Sequence, residues 1–353
     1  MNHATTSQPV LVEALRGDAV ESFHRGALAV VDADGTVLHA LGDIHRPVFP
    51  RSAVKLLQAL PLVASGAADA LGLSNEELAL ACASHGGEPM HVRTAAGMLR
   101  KAGLSETALE CGAHWPGFEG ASRALAREGR EPDALHNNCS GKHAGFVCLG
   151  CLLARQAGQD AAAFTRGYVK ASHPVMREVS AALQAATGHD LASAPVGTDG
   201  CSIPTYAQPL HALALGFARV ATGLGLSAGH AQAALRLRQA IARAPQMVAG
   251  TGRFDTRVMQ HFGERVCCKV GAEGVYCAAL PERGLGVAIK VDDGQGARAA
   301  EVAMAQLLHA LVARSDADHA VLQPLREVVL RNWNGLAVGR LRPAPALATL
   351  QAD

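Results

Sequence analysis

Residues 266–279 decide the fold: Val266-Cys267-Cys268-Lys269-Val270, the turn Gly271-Ala272-Glu273, then Gly274-Val275-Tyr276-Cys277-Ala278-Ala279. Two short apolar runs on either side of a glycine-bearing turn predict paired strands. Residues 285–291 add a third strand, which stops at Asp292-Asp293-Gly294. Near the N-terminus, residues 27–31 and 36–41 flank Asp32-Ala33-Asp34-Gly35 and predict another hairpin. Between these strand regions, from Ser52 to about Gln260, the period changes. Apolar residues recur every three or four positions in Val54-Leu57-Ala59-Leu60, in 78–81 and across 175–183, the spacing of a helix face. Ser74-Asn75-Glu76-Glu77 and Ser105-Glu106 are helix starts, and Pro174 and Pro209 suit first helical turns. After the third strand, 297–312 predicts a long helix, and 328–331 and 336–338 predict short strands.

Two strands, a helical body, three strands and a helix pack most simply when the terminal strands join. The expected class is therefore α+β, an antiparallel sheet from N- and C-terminal strands with a large helical insertion. Residues 1–51 and 261–353 form the sheet-containing part and 52–260 the mainly helical part of one catalytic unit.

The 353 residues carry 32 basic and 31 acidic side chains, a formal net charge of +1. That balance points away from nucleic acid or an anionic membrane surface, which would require a clustered basic excess. The opening residues lack the basic-then-apolar pattern of a signal peptide, and no apolar run reaches the ~20 residues of a membrane span. The expectation is a cytoplasmic protein whose nine cysteines stay reduced. Cys148 and Cys151 have C-x-x-C spacing but sit in an apolar helical run, and read as core. Adjacent Cys267 and Cys268 in a strand must face opposite ways.

The helical body opens with Arg51-Ser52-Ala53-Val54-Lys55. A spacing of three places Ser52 and Lys55 on one helical face. A serine hydroxyl becomes a nucleophile when a base removes its proton, and a lysine is that base only when neutral. Its pKa must then fall from ~10.4 to near neutrality, which corresponds to ~4 kcal/mol. S-x-x-K alone is weak, because Ser52 as a helix cap explains it equally. Lys269-Val270-Gly271 on a returning strand strengthens it: serine β-lactamases and penicillin-binding proteins pair S-x-x-K with K-T-G on a strand. Ser84, in Ala83-Ser84-His85-Gly86-Gly87-Glu88, is either a second site hydroxyl or the end of a helix. The densest polar cluster is His136-Asn137-Asn138-Cys139-Ser140-Gly141-Lys142-His143, and Thr198-Asp199-Gly200-Cys201-Ser202 is a second such loop. A thiol from each could bind zinc, although neither has C-x-x-C spacing and two buried cysteines explain them as well.

With these residues in hand, the chain resembles the Rhizobium-type L-asparaginases, the thermolabile or inducible class, whose fold is similar to serine β-lactamases. The resemblance rests on RSAVKLLQALPLV (51–63), ASHGGEPMH (83–91), NNCSGKHAGF (137–146), TDGCSIPTYAQPL (198–210), GTGRFDT (250–256) and KVGAEGVYCAAL (269–280). It implies Ser52 as nucleophile with Lys55 as its partner, and Ser84 with Lys269 as a second Ser–Lys pair. It also implies one zinc ion near the site on Cys139, Lys142 and Cys201, and a homodimer. Arg51, His85, His143 and Asp199 fall where the substrate would be lined.

The implied reaction is hydrolysis of L-asparagine to L-aspartate and ammonia through an acyl-enzyme. A glutaminase or a β-lactam-acting hydrolase would share the Ser–Lys chemistry. A zinc-dependent amino-acid-binding protein would keep the scaffold without turnover.

Overall fold

The computed structural model describes residues 8–350. Twelve strands are present among them: β1 (Val10–Arg16), β2 (Ala19–Asp32), β3 (Val37–Leu41), β4 (Pro47–Val48), β5 (Val196–Thr198), β6 (Pro204–Tyr206), β7 (Gln208–Pro209), β8 (Cys267–Val270), β9 (Val275–Leu280), β10 (Leu285–Val291), β11 (Val328–Arg331) and β12 (Ala337–Pro343). Eight form one curled antiparallel sheet in the order β11-β12-β1-β2-β10-β9-β8, with β3 paired to β2. The 14-residue strand β2 is the spine. Its first half pairs with β1 and its second half with β10 and β3, so Val30 lies between Val287 and His39. The architecture is the expected α+β one, with N- and C-terminal strands in one sheet.

Every residue of β9 and nearly every residue of β10 is buried, as in a strand covered on both faces. The helix Leu210–Thr222 lies against β10, β2 and β9. Gly286 permits that approach: a Cβ there would stand 2.0 Å from the carbonyl oxygen of Ala214.

Several sequence expectations shift in detail. The segment before residue 27 forms β1 and the first half of β2. In VLVEALR the apolar pairs suit a helix as well as a strand, and the pairing that settles it comes from distant β12, Val12 opposite Pro343. The helical body also holds the small strands β5–β7, and β7 pairs with β4 just ahead of the body. Its first helix is short, because Pro61 cannot donate to a preceding carbonyl; a 3₁₀ turn Arg51–Val54 leads into Lys55–Gln58, and a new helix runs Leu60–Ala64. Ser74 starts a helix as expected, through a capping box with Glu77, and Pro174 opens the helix Pro174–Thr187. The predicted helix over 297–312 is a π-helical turn Gly296–Ala300 followed by the helix Glu301–Leu311. A further helix, Asp316–Arg326, has no counterpart in the sequence reading.

All nine cysteines are free thiols. Cys148 and Cys151 donate to the carbonyls of Met98 and Ala102 between packed helices. Among the described residues, no helix is long and apolar enough to cross a membrane.

Candidate active site

The turn Arg51–Val54 follows Pro50 and leads into Lys55. Side chains three apart eclipse in a 3₁₀ turn, and the Lys55 N–H donates to the Ser52 carbonyl. Ser52 and Lys55 therefore share a face, as their spacing predicts. The capping alternative fails: Pro50 occupies the cap and no side chain caps the turn. Arg51 has φ +50°, an uncommon conformation for a residue with a Cβ. Strain of this kind persists only where surroundings impose it.

Two contacts impose it. The Arg51 guanidinium is tied to the Asp199 carboxylate, and Gly271 brings the end of β8 against the turn. A Cβ at Gly271 would lie 2.8 Å from the Pro50 carbonyl oxygen and 3.2 Å from the Ala53 Cβ. The glycine of Lys269-Val270-Gly271 thus lets the strand carrying Lys269 dock beside Ser52.

Two lysines are buried here. Lys55 is 0% exposed; its Nζ donates to the Ala83 carbonyl, to Ser84 Oγ at 2.9 Å and to Cys139 Sγ at 3.0 Å. Lys269 Nζ donates to Ser84 Oγ at 2.9 Å and to the Val270 carbonyl at 2.7 Å. Ser84 therefore joins both amines. Its loop is pinned by Ser84 N–H to the Val248 carbonyl and His85 N–H to the Asn138 carbonyl. Ser52 is half-buried, and among the described residues its hydroxyl makes no hydrogen bond. Burial pushes the Lys269 amine down to about 7; Asp255 opposes this and Lys55 adds to it.

Beside these lies a second cluster. Lys142 Nζ is 2.9 Å from Cys201 Sγ, and Cys201 Sγ is 3.5 Å from Asp199 Oδ2. The Cys139 thiol is held well below its usual range by its hydrogen bond with Cys201, against burial and with help from Lys55 and Lys142. Cys201 is raised by the same contact. Burial would lower Lys142, but the two sulfurs raise it. Among the described residues, no three His, Cys, Asp or Glu side chains gather as a metal site. Cys139, Lys142 and Cys201 nonetheless fit zinc in chemistry, with two thiols and an amine converging in the interior, provided the amine gives up its proton to the metal.

The two histidines differ. His85 uses both ring nitrogens within the protein: Nδ1 accepts from Gly87 N–H and Nε2 lies 2.9 Å from Ser140 Oγ. It also stacks on His91. Both nitrogens thus brace the loop that carries Ser84. His143 Nδ1 lies 2.6 Å from the Tyr168 hydroxyl, which itself accepts from Glu110 N–H. The His143 Nε2 is buried without a partner among the described residues. A buried orphan polar atom is costly.

Tyr168 and Asp255 escaped the sequence reading. Asp255 had a visible signal: with Val258, Met259 and Phe262 it occupies positions i, i+3, i+4 and i+7 of the buried stripe of helix Phe254–Phe262. An acidic residue on an apolar stripe invites a question about its partner.

Solved structures similar to this chain include a β-lactamase from Mycobacterium bovis, 16% identical over 80% of this chain and 93% of that one, with a TM-score of 0.38. Another is Mglu, 15% identical over 82% of this chain and 69% of that one, with a TM-score of 0.36. No curated protein matches the chain. The family model for L-asparaginase II matches residues 12–343. The protein is thus an amidohydrolase of the asparaginase type. The chain belongs to the L-asparaginase II family.

Proposed function

We propose that the protein hydrolyses L-asparagine to L-aspartate and ammonia, with Ser52 as nucleophile. The observation that carries the reading is Ser84 bonded to two buried lysines beside Ser52, one of them near neutrality in its titration. A neutral amine there accepts the Ser52 proton, relayed through the Ser84 hydroxyl. Ser52 Oγ bonds to the side-chain amide carbon, the C–N bond breaks, and ammonia leaves with the proton returned by the lysine. Water then enters by the same proton route and releases aspartate from Ser52.

Arg51 and Asp199 form an ion pair at the edge of this site. The α-carboxylate and α-amino groups of an amino acid carry the complementary charges and would engage the pair one for one. Cys139, Lys142 and Cys201 would hold zinc. Bound there, it supplies a fixed positive charge that keeps the Asp199 loop in place. A cytoplasmic homodimer completes the proposal.

The test is ammonia release from L-asparagine, L-glutamine and, for ring opening, a β-lactam, measured side by side. Preference for asparagine is expected. Equal kcat/KM for the two amino acids would move the assignment to a glutaminase. Thermal stabilisation by asparagine without ammonia would make the protein a binding protein.

A further inference from the structure

Asp255 is a fully buried carboxylate, 0% exposed. Its Oδ1 accepts from the Val270 N–H at 3.0 Å; its Oδ2 has no hydrogen-bond partner within 3.5 Å among the described residues, and the Tyr276 hydroxyl faces the same carboxylate. A buried carboxylate with one hydrogen bond is expensive unless an opposite charge lies near. Val270, whose N–H is held by Asp255, is also the residue whose carbonyl receives Lys269 Nζ at 2.7 Å. A chain of contacts thus runs from Asp255 through the Val270 backbone to Lys269, then to Ser84 and Lys55.

We propose that Asp255 is the positioning residue for Lys269: it anchors Val270, the residue whose carbonyl receives the amine, and supplies the buried negative charge that offsets it. The inference rests on the reading of Lys269 as part of the proton route.

The surroundings of Lys269 single out Asp255. Lys55 and Arg253 are positive and disfavour a second cation. Cys82, Cys267 and Cys277 flank it, but burial raises all three thiols and keeps them neutral. Cys139 lies farther along the Lys55 side and favours the ammonium. Glu301 is itself raised to about 7, first by burial and then by the charge of Asp255.

Asp255→Asn keeps an acceptor for the Val270 N–H and removes the charge. Two readouts separate this proposal from the activity assigned above. In full-length protein with ¹³C,¹⁵N-labelled lysine, the Lys269 side-chain signal is identified by its loss in Lys269→Met and followed against pH. The midpoint should fall by about one pH unit in Asp255→Asn, the size of an opposite charge removed at short range, and return in Asp255→Glu. The acid limb of kcat/KM for ammonia release should move the same way with its plateau little changed. A midpoint unmoved within about 0.3 pH units, where one unit corresponds to ~1.4 kcal/mol, would overturn the proposal. So would a lowered plateau on an unmoved limb, which is the mark of a structural role alone. If wild-type protein releases no ammonia, the activity assignment fails while the titration still decides the role of Asp255. Should the amide variant not fold, Asp255→Ser offers an acceptor without charge and is held to the same outcomes.

Discussion

Lys269 and Lys142 are equally buried, each 2% exposed, yet burial wins at one and loses at the other. Lys269 faces a hydroxyl and a carbonyl, with Asp255 acting at a distance, and is lowered to about 7. Lys142 faces two sulfurs and Asp199, which outweigh its burial and raise it. Neutral dipoles solvate an ammonium less well than water does, whereas adjacent anions hold it charged. One interior therefore contains one lysine lowered toward neutrality and another held charged. That contrast separates the proton-transfer corner from the thiol corner, and each prediction strikes at one side of it.

The largest effect belongs to the hydroxyls. Ser52→Ala should lower kcat for ammonia release by ~10³-fold or more, as removal of a nucleophile does, with thermal stability unchanged because Ser52 caps nothing. Ser84→Ala should also lose rate and in addition move the acid limb. A folded Ser52→Ala variant with over about a tenth of wild-type kcat would leave Ser84 as nucleophile. Next is the clamp. Arg51→Lys should cost ~10²-fold in kcat/KM for asparagine, because a lysine cannot reproduce a bidentate contact and the amide shifts by about 1 Å. Full activity would show that Asp199 is the only reason for Arg51.

The thiol corner is broken by Cys139→Ser or Cys201→Ser. Protein prepared without chelator should hold about one zinc per chain, falling at least tenfold in either variant. Metal analysis showing none in the wild type removes zinc and leaves the Ser–Lys chemistry standing. The mildest probe is pH. Lys269 must be neutral to accept a proton and binds one as pH falls through about 7, so kcat/KM should rise with pH and level above the limb. At pH 6 it should stand at about a tenth of plateau, a limb belonging to the coupled lysines together. A flat profile from about pH 5 to 10 excludes a lysine base.

The central hairpins and the helical body were legible because they are local: a turn between apolar runs, and a three- or four-residue period. Strand β1 and the start of β2 were not, since their partners lie at the opposite end of the chain. The site divided in the same way. Ser52 and Lys55 sit one turn apart, and Lys269 announced itself with Gly271. That Ser84, and not Ser52, would be the hydroxyl joining the two amines depends on how the loop after helix Asn75–Ala81 hangs from Val248 and Asn138, which spacing cannot express. The bonds of His85 to Gly87 and Ser140, which brace the same loop, are equally beyond what spacing expresses.

The pairing of Val12 with Pro343 and of Gly26 with Val291 has a consequence for synthesis. Half of β2 has no partner on one edge until residue 285 and beyond have left the ribosome, and β1 waits longer still for β12. During that interval the helical body is made while apolar strand edges stay open, the condition under which nascent chains aggregate. Translation stalled near residue 260 should therefore yield a chain that engages chaperones and is cut by protease within 10–41. Release of the full chain should close both ends of the sheet in a single late step.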